Sequence, residues 1–313
     1  MCGTDDGTRR PSTMRARGTS ATTTTTTRTS IDRSRRWRRC GALRASTRDD
    51  DGRDAAARER DAEAFEEMVV LHESEAVVIV NKPRGMSFHS EFAPGALARL
   101  RTQMGETTTA MSVHRLDKPT SGILVFAKNA RARDALSKAF EEKEIVKYYV
   151  GMSNRKPRKK MGTVRGDMTR SRRKAWMLTS TTESPAETKF VSFGARGVGD
   201  RALRMFVFRP MTGKTHQLRV AAKSLGSPLL GDDTYGGERD ADRTYLHACA
   251  IRIPKSVLGE TIQIICSPIG TGDEWDPAAF DRYFPESLAN DFGAWFDDQP
   301  LLRSTVYGDA NEQ

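Results

Sequence analysis

Short apolar runs separated by turn residues characterise this chain from residue 65 onwards. Runs rich in β-branched residues at 68–71 and 77–80 are joined by polar residues and predict two paired strands. These and the later runs together predict a sheet. The later runs occupy 123–126, 145–152, 189–193, 203–209, 247–253 and 261–266.

Helical periodicity appears in three segments of the same region. Residues 96–104 predict a short helix, and Asn129 is a good N-cap for a helix that runs to residue 142. A third helix is predicted over 215–225, with Gly226 as its C-terminal stop. Because strands outnumber helices and do not alternate strictly with them, we predict an α+β fold with a mixed, mainly antiparallel central sheet and flanking helices.

Composition divides the 313 residues into four parts. Residues 1–48 predict a disordered leader, because they cannot bury enough apolar surface to offset the entropy lost on ordering, and residues 49–64 predict a linker. Residues 65–270 form the predicted folded domain. Residues 271–313 form an acidic, aromatic extension that we expect to dock on it. The chain has no apolar run of 18 residues, so we predict no membrane span.

The leader carries most of the net charge, since its 12 arginines and three acids give +9 of the chain's +10. A composition rich in Arg, Ser and Thr and poor in acids is typical of an organellar transit peptide, which predicts location in the chloroplast or mitochondrion. Two alternatives stay open: a basic arm that contacts RNA directly, or a start at Met14 instead of Met1. Without a transit peptide, the predicted location is the cytoplasm.

Charge is also segregated within the body of the chain. Residues 155–174 carry ten basic side chains and one acid, whereas residues 271–313 have a net charge of −8. A dense basic segment favours binding of a polyanion, although a charge run is also typical of an ordinary solvated face. We expect an extended loop or hairpin that contacts RNA, with Trp176 adding a stacking surface. Its predicted contact residues are Arg170, Arg173 and Lys174.

The run from His114 to Gly122 is the strongest candidate for chemistry. It places Asp117 in a turn of Pro, Thr, Ser and Gly immediately before the apolar strand at 123–126. A single Asp in a turn is most often structural. Here Arg115 lies two positions before it, and a buried strand fixes the backbone that follows, which favours a functional carboxylate.

This run resembles the HRLD-x-x-TSG signature of the RluA-type pseudouridine synthases. Four further elements resemble family motifs in the same order, so that the resemblance spans residues 68–268. They are Asn-Lys-Pro at 81–83 with Gly85 and His89, Lys-Tyr-Tyr at 147–149, Thr-Gly-Lys-Thr-His-Gln-Leu-Arg at 212–219 followed by Leu-Gly-Asp at 230–232 and Tyr235, and Leu-His-Ala at 246–248.

The resemblance implies that residues 65–270 are a catalytic domain that isomerises uridine to pseudouridine in RNA. We expect a structured substrate, either ribosomal or transfer RNA, and the sequence leaves messenger RNA open as a third target. In that reaction the N1–C1′ glycosidic bond breaks, the uracil turns, and its C5 atom is joined to C1′. The resemblance further implies no metal and no organic cofactor, and we expect a monomer.

Site residues follow from the resemblance position by position. Asp117 would be the essential carboxylate, either attacking covalently or acting on the sugar, and Arg219 would be its ion-pair partner. Tyr149 would stack on the uracil with its hydroxyl near C5, and Leu246 would form an apolar wall of the pocket.

Other matched residues are implied to bind the RNA substrate. The Arg115 guanidinium would take the place of the extruded base in the stacked RNA and would contact phosphate. The alternative role for Arg115 is a structural salt bridge. Lys214 stands where the family often has arginine, so bidentate phosphate contact is lost there. The remaining predicted contacts are His114, Lys147, His216 and Gln217.

Metal binding is disfavoured by the residues themselves. The sequence has four cysteines, Cys2, Cys40, Cys249 and Cys266, with no C-x-x-C spacing and no dense cluster of His and Cys, so they are interpreted as reduced thiols. The histidines beside the motifs, including His247, are interpreted as hydrogen-bonding supports of the site wall.

Two rival functions stay open from the sequence. The first is a catalytically silent RNA-binding protein on the same fold, which the presence of Asp117, Tyr149 and Arg219 disfavours. The second is a hydrolase with paired carboxylates, for which Asp232 and Asp233 are the candidate second acid.

Overall fold

A computed structural model describes residues 68–88, 94–105, 109–171, 175–238, 240–283 and the backbone of 306–307. The predicted leader at 1–48 and linker at 49–64 lie outside these ranges, as do Arg173 and Lys174. No helix in the described ranges has both the length and the apolar character needed to cross a membrane.

The elements agree closely with the apolar runs and the helical segments of the sequence. The strands are β1 (Val69–Glu73), β2 (Val77–Lys82), β3 (Met111–Ser112), β4 (Ser121–Ala127), β5 (Val146–Ser153), β6 (Met161–Gly166), β7 (Met168–Arg170), β8 (Trp176–Leu178), β9 (Ala186–Arg196), β10 (Ala202–Pro210), β11 (Leu246–Ile253), β12 (Ile262–Ile265) and β13 (Val306–Tyr307). The α-helices are α1 (Ala96–Met104), α2 (Ala130–Glu141), α3 (Gln217–Ser224), α4 (Lys255–Leu258) and α5 (Pro277–Tyr283).

One large sheet joins the strands in the order β1-β2-β4-β11-β5-β10-β9-β6-β13, with β3 added to β4 and β12 added to β11. Its pairs are antiparallel except for β4 with β11 and β6 with β13. Strands β7 and β8 form a separate antiparallel hairpin. The prediction of an α+β fold with a mixed, mainly antiparallel sheet is therefore confirmed.

Three apolar clusters surround the sheet, and the candidate site lies where two of them meet. The first includes Phe126 of β4 and Leu136 of α2, and the third includes Phe206 of β10 and Leu218 of α3. Tyr149 of β5 packs against both clusters. The sheet thus carries Tyr149 at the junction between two helix-covered regions.

Residues 114–122, which resemble the family signature, form a turn that we call the signature turn. Its last residue, Gly122, allows β4 and β11 to approach each other closely. Its φ is +107°, and a Cβ atom there would lie 2.3 Å from the carbonyl oxygen of Ala248. A side chain would therefore clash with backbone as well as strain the dihedral. The glycine of the motif fixes the path of the chain just after Asp117.

Two predicted segments are corrected by the structure. Helix α3 begins at Gln217, two residues later than predicted, because His216 adopts a left-handed conformation with φ of 59°. The basic segment at 155–174, predicted as an extended loop or hairpin, contains β6 of the large sheet and β7 of the β7–β8 hairpin, so the loop alternative is wrong for these residues and the hairpin alternative holds for β7.

The first part of the acidic extension packs on the domain. Trp275 and Phe280 are only 6% and 5% exposed, and the Trp275 ring lies edge-on to Tyr245 at 5.1 Å between centroids. Within residues 271–283, Trp275 and Phe280 therefore lie buried against the domain, and docking of the whole extension stays a prediction. Residues 284–305 and 308–313 lie outside the described ranges.

Candidate active site

A single open pocket of about 560 Å³ collects ten of the thirteen predicted site residues. Its wall is built by the signature turn, the end of α2, strand β5 and the loop that leads into α3. The ten residues are His114, Arg115, Asp117, Lys147, Tyr149, Lys214, His216, Gln217, Arg219 and Leu246. Of the other three, Arg170 lies on β7 outside the lining, and Arg173 and Lys174 belong to the part of the chain that is not described.

Asp117 is held by a hydrogen-bonded turn and remains accessible. The Thr120 amide donates to the Asp117 carbonyl at 3.1 Å, and the Gly85 amide donates to the Lys118 carbonyl at 2.9 Å. The Asp117 side chain is 19% exposed, so a substrate can reach the carboxylate while most bulk water is excluded. The turn therefore fixes the backbone on both sides of this carboxylate.

Lys82, at the end of β2, supports the same turn and was missed by the site prediction. The side chain is fully buried, and Nζ donates to the carbonyls of Pro83 at 2.8 Å, Met86 at 3.0 Å and Lys118 at 3.5 Å. Burial and the charge of Arg243 lower the pKa of Lys82 to about 7, although the Asp117 charge opposes this shift. The signal was available, because this lysine lies two residues after an apolar run, within the Asn-Lys-Pro element.

Arg219 bridges two carboxylates. Its Nη1 lies 3.9 Å from Oδ2 of Asp117, whereas Nε and Nη2 each lie 2.7 Å from the carboxylate oxygens of Asp232. The predicted ion pair with Asp117 is present, but Asp232 is the direct, bidentate partner. Burial alone would lower the pKa of Arg219, but hydrogen bonds and charge from Asp232, with a contribution from Asp117, raise it above its ordinary value. The guanidinium is thus a permanent cation beside Asp117.

Asp232 is completely buried and fully committed to protein partners. In addition to Arg219, its Oδ1 accepts the backbone amides of Thr234 at 3.1 Å and Tyr235 at 3.2 Å. A carboxylate held in this way cannot reach a water molecule or a sugar. Asp232 therefore cannot serve as the second acid of a paired-carboxylate hydrolase. Its role in the structure is to hold Arg219 in place.

Tyr149 contributes an aromatic wall and a neutral hydroxyl. It lies on β5 opposite Phe208 of β10 and Ala248 of β11. Burial and then the charge of Asp117 raise the pKa of Tyr149, so its phenol stays protonated at neutral pH. Leu246, which is 3% exposed, adds an apolar surface to the same pocket. Together they form a surface suited to the face of a pyrimidine.

His114, Phe140 and Lys147 form a packed group at another part of the wall. The His114 ring stacks on Phe140 at 4.6 Å, and its Nε2 accepts the Val125 amide at 2.9 Å. Burial and the charge of Lys147 lower the pKa of His114 to about 3, so the ring is neutral. His114 thus lines the pocket as a neutral ring that also holds β4 through the Val125 amide, and its contact with RNA stays a prediction.

Lys147 remains a candidate contact because it lines the pocket, with its Nζ 5.1 Å from the centre of the Phe140 ring. Burial lowers the pKa of Lys147 from 10.5 to about 8. The ammonium is therefore charged at pH 7 and loses its charge well before an exposed lysine does.

We expect RNA binding to weaken by about threefold as the pH rises through 8, because Lys147 then loses one favourable interaction with phosphate. The dissociation constant of a ribosomal RNA transcript, measured at fixed salt across this pH range, checks the effect. The Lys147→Arg variant keeps its positive charge across this pH range, so its affinity for RNA should not change with pH. Lys143→Arg, at the exposed rim, is the matched control and should keep the wild-type profile. Superimposable profiles for wild type and Lys147→Arg would contradict the assignment.

Gln217 is also reassigned by the structure. Its Nε2 donates to the Glu187 carbonyl and to Thr188 Oγ1, both at 2.9 Å, and its Oε1 accepts from Thr212 Oγ1 at 2.7 Å and the Lys214 amide at 2.9 Å. These bonds use both ends of the amide. Gln217 shapes the loop that carries the pocket wall and is not available as the predicted RNA contact.

The rim of the pocket is strongly cationic. Its lining contains six lysines and arginines but only two carboxylates, Asp117 and Glu141. Arg115 and Lys214 are exposed, and Lys214 Nζ donates to Ser184 Oγ at 2.9 Å. His216 lies deeper, with Nδ1 2.8 Å from the Tyr235 hydroxyl, and burial lowers its pKa. This charge balance suits a polyanionic substrate.

His247 lies behind the pocket and not in its wall. The ring is fully buried, with Nδ1 2.8 Å from Ser121 Oγ and Nε2 3.1 Å from the Cys266 carbonyl. Burial and the charge of Arg243 lower the pKa of His247 to about 3. It therefore supports the β4–β11 junction as a neutral side chain. Within the described residues, no group of three His, Cys, Asp or Glu side chains is placed to hold a metal ion.

Comparisons with known proteins extend this picture. The family described as RNA pseudouridylate synthase matches residues 76–224. An RNA pseudouridine synthase of Haemophilus influenzae, named as uncharacterized, is 41% identical over 218 residues, which cover 69% of this chain and 94% of that protein. A ribosomal large subunit pseudouridine synthase C of Rickettsia felis is 31% identical over 200 residues, which cover 62% of this chain and 66% of that relative, just under two thirds of its length.

Solved structures show the same fold. Human RNA pseudouridylate synthase domain containing 1 aligns with a TM-score of 0.57 at 23% identity, covering 68% of this chain and 92% of that one. Human RNA pseudouridylate synthase domain containing 4 aligns with a TM-score of 0.52 at 20% identity, covering 74% and 94%. At these identities the likeness concerns the fold alone.

Sequence and fold lead to the same assignment. The Haemophilus influenzae relative is matched over almost its whole length, and four of the five motifs of this chain contribute residues to one pocket. The chain therefore belongs to the RluA-type RNA pseudouridine synthase family and is an isomerase that acts on RNA.

Proposed function

We propose that the pocket isomerises a uridine in structured ribosomal or transfer RNA, with Asp117 as the carboxylate that acts on the ribose. The observation that carries this proposal is the arrangement of Asp117, an accessible carboxylate beside the permanent cation Arg219, in a pocket whose aromatic wall is Tyr149. The rest of the pocket provides apolar contact for a base and cations for its phosphates.

The isomerisation balances without an external reactant. The N1–C1′ bond breaks, the uracil stays in the pocket and turns, a C5–C1′ bond forms, C5 loses its proton and N1 gains one. A carboxylate beside C1′ stabilises the electron-poor sugar carbon while the base is detached. Arg219 stabilises the ionised form of Asp117 that this role requires.

Tyr149 acts as a neutral phenol in this scheme. Because burial and Asp117 keep its proton in place, the ring provides a stacking surface and the hydroxyl a hydrogen bond, while phenolate is not available as a base. Leu246 bounds the space in which the detached uracil turns. An enclosed, partly apolar wall of this kind keeps the base from diffusing away before the new bond forms.

The target uridine has to leave the RNA stack before it can reach Asp117. The exposed guanidinium of Arg115, two residues before Asp117, is placed at the rim, where it can contact phosphate and fill the vacated stack. Support for ribosomal RNA comes from the Rickettsia felis relative, which is named as a ribosomal large subunit pseudouridine synthase. The cationic rim suits transfer RNA as well.

Mapping pseudouridines in ribosomal and transfer RNA, with and without the gene, tests the substrate assignment. We expect one or a few positions in these RNAs to lose pseudouridine and to regain it with the wild-type gene. Unchanged maps of both RNA classes would overturn the substrate assignment. Separate maps of organellar and cytosolic RNA test the location that the leader predicts, for which loss in organellar RNA is expected.

A further inference from the structure

The hydroxyl of Tyr235 joins the β7–β8 hairpin to the wall of the pocket. It accepts the backbone amide of Trp176 in β8 at 3.1 Å and lies 2.8 Å from Nδ1 of His216. The Tyr235 side chain is only 2% exposed, so these bonds are shielded from water. A hydrogen bond that is shielded from water is strong, so a displacement of the hairpin would also move the Tyr235 side chain.

The rest of Tyr235 contacts the pair that supports Asp117. The Arg219 guanidinium lies 5.0 Å from the centre of the Tyr235 ring, and the Tyr235 amide donates to Asp232 Oδ1 at 3.2 Å. Arg219 in turn lies 3.9 Å from Asp117. A shift of the ring therefore changes the position of the cation beside the carboxylate.

The hairpin itself has the properties of an RNA-docking element. Its strands pair with each other in a sheet of their own, and the guanidinium of Arg170 lies 5.5 Å from the Trp176 ring. Arg170 is exposed, and Met177 is 50% exposed. An arginine on an aromatic ring offers both charge and a stacking surface to a nucleic acid.

We propose that Tyr235 is a positioning residue that couples docking of RNA on the β7–β8 hairpin to the placement of Arg219 beside Asp117. This inference rests on the proposed function. An RNA long enough to reach the hairpin would hold Trp176 against Tyr235 and raise kcat, whereas a short stem-loop that fills only the pocket would lack this advantage. Two substrate lengths therefore distinguish coupling from simple structural support.

Tyr235→Phe keeps the ring under Arg219 and removes the hydroxyl that contacts the hairpin. The matched control is Tyr245→Phe, because Tyr245 is also buried and lies in a similar environment. Its hydroxyl donates to Asp242 and accepts the Glu274 amide at 2.8 Å, and the Arg243 guanidinium lies 5.8 Å from the centre of its ring. Tyr245 lies outside the lining of the pocket. Both variants remove one buried hydroxyl, so urea unfolding should show similar losses of stability.

The experiment measures kcat and KM for a full-length transcript of the RNA in which the target uridine has been mapped, ribosomal or transfer, and for a short stem-loop around the same uridine. For Tyr235→Phe we expect kcat to fall about tenfold on the long RNA, with less than about a twofold change on the short one and in KM. Tyr245→Phe should leave the ratio of the two kcat values at its wild-type level.

Three other results have distinct meanings. An equal fall of kcat on both RNAs with Tyr235→Phe, or a ratio that Tyr245→Phe changes as much, would overturn the coupling while leaving the proposed function in place. If the wild-type protein forms no pseudouridine on either RNA, both the proposed function and the coupling are overturned.

Discussion

Asp117→Asn is expected to lower pseudouridine formation by at least about 10⁴-fold while leaving the fold and RNA binding intact. The amide cannot supply the negative oxygen that the ribose step needs. The loss of charge is tolerated by the fold because Asp117 is partly exposed and its partner Arg219 keeps its bidentate pair with Asp232. The predicted effect is therefore on the chemical step alone.

Release of tritium from RNA labelled at C5 of uridine measures this loss, since C5 gives up its hydrogen during isomerisation. Filter binding with the same RNA and urea unfolding show that the variant is folded and competent to bind. Asp134→Asn, an exposed carboxylate on α2 with 69% side-chain exposure, is the matched control and should release tritium at the wild-type rate. An Asp117→Asn protein with more than about one per cent of wild-type activity would contradict the role of the carboxylate.

Asp232→Asn is expected to destabilise the protein by about 3–5 kcal/mol, because it leaves the buried Arg219 cation without its charged partner. Arg219 is only 5% exposed and cannot turn to water for compensation. The remaining carboxylate, Asp117, is 3.9 Å away, too far for a hydrogen bond with normal geometry. Activity should fall as well, since the cation beside Asp117 is displaced.

Urea unfolding of the wild type, Asp232→Asn and Asp233→Asn tests this expectation. Asp233 is the exposed neighbour in sequence, so it controls for the amide substitution itself and should change stability by less than about 0.5 kcal/mol. If the two variants unfold at the same urea concentration, Asp232 is not the principal support of Arg219.

The strands and helices were predictable because each has a local signal. The apolar runs at 77–80 and 123–126 became the buried strands β2 and β4, and Asn129 caps α2 by accepting the Ala132 amide at 2.8 Å. The order of strands in the sheet was not predictable, since β11 contacts β4 and β5 through pairings far apart in the sequence. Only the resemblance to a family pointed to the overall arrangement.

The site was predictable to the extent that its residues lie within motifs. Asp117, Tyr149 and Arg219 come together in one pocket as the resemblance implied. The roles of Asp232 and Lys82 were not assigned, although both lie within quoted motifs, because a motif does not show which side chain contacts which. Their partners come from other segments of the chain, and burial gives these contacts their strength.

Gln217 shows the opposite error. It lies inside a motif and was predicted to contact RNA, yet protein groups occupy both ends of its amide. A motif residue can be present to hold the shape of the site instead of to touch the substrate. Sequence spacing does not separate these roles, whereas the hydrogen bonds of the folded chain do.

A nucleoside balance after complete digestion of reacted RNA tests the central claim most directly. Mass spectrometry would count uridine lost, pseudouridine gained and free uracil released by the wild-type protein on its mapped target. We predict one pseudouridine gained for each uridine lost, with no free uracil, because the detached base stays between Tyr149 and Leu246 until C5 bonds to the sugar. Free uracil in place of pseudouridine, or no loss of uridine in any RNA tested, would contradict the assignment of this pocket to uridine isomerisation.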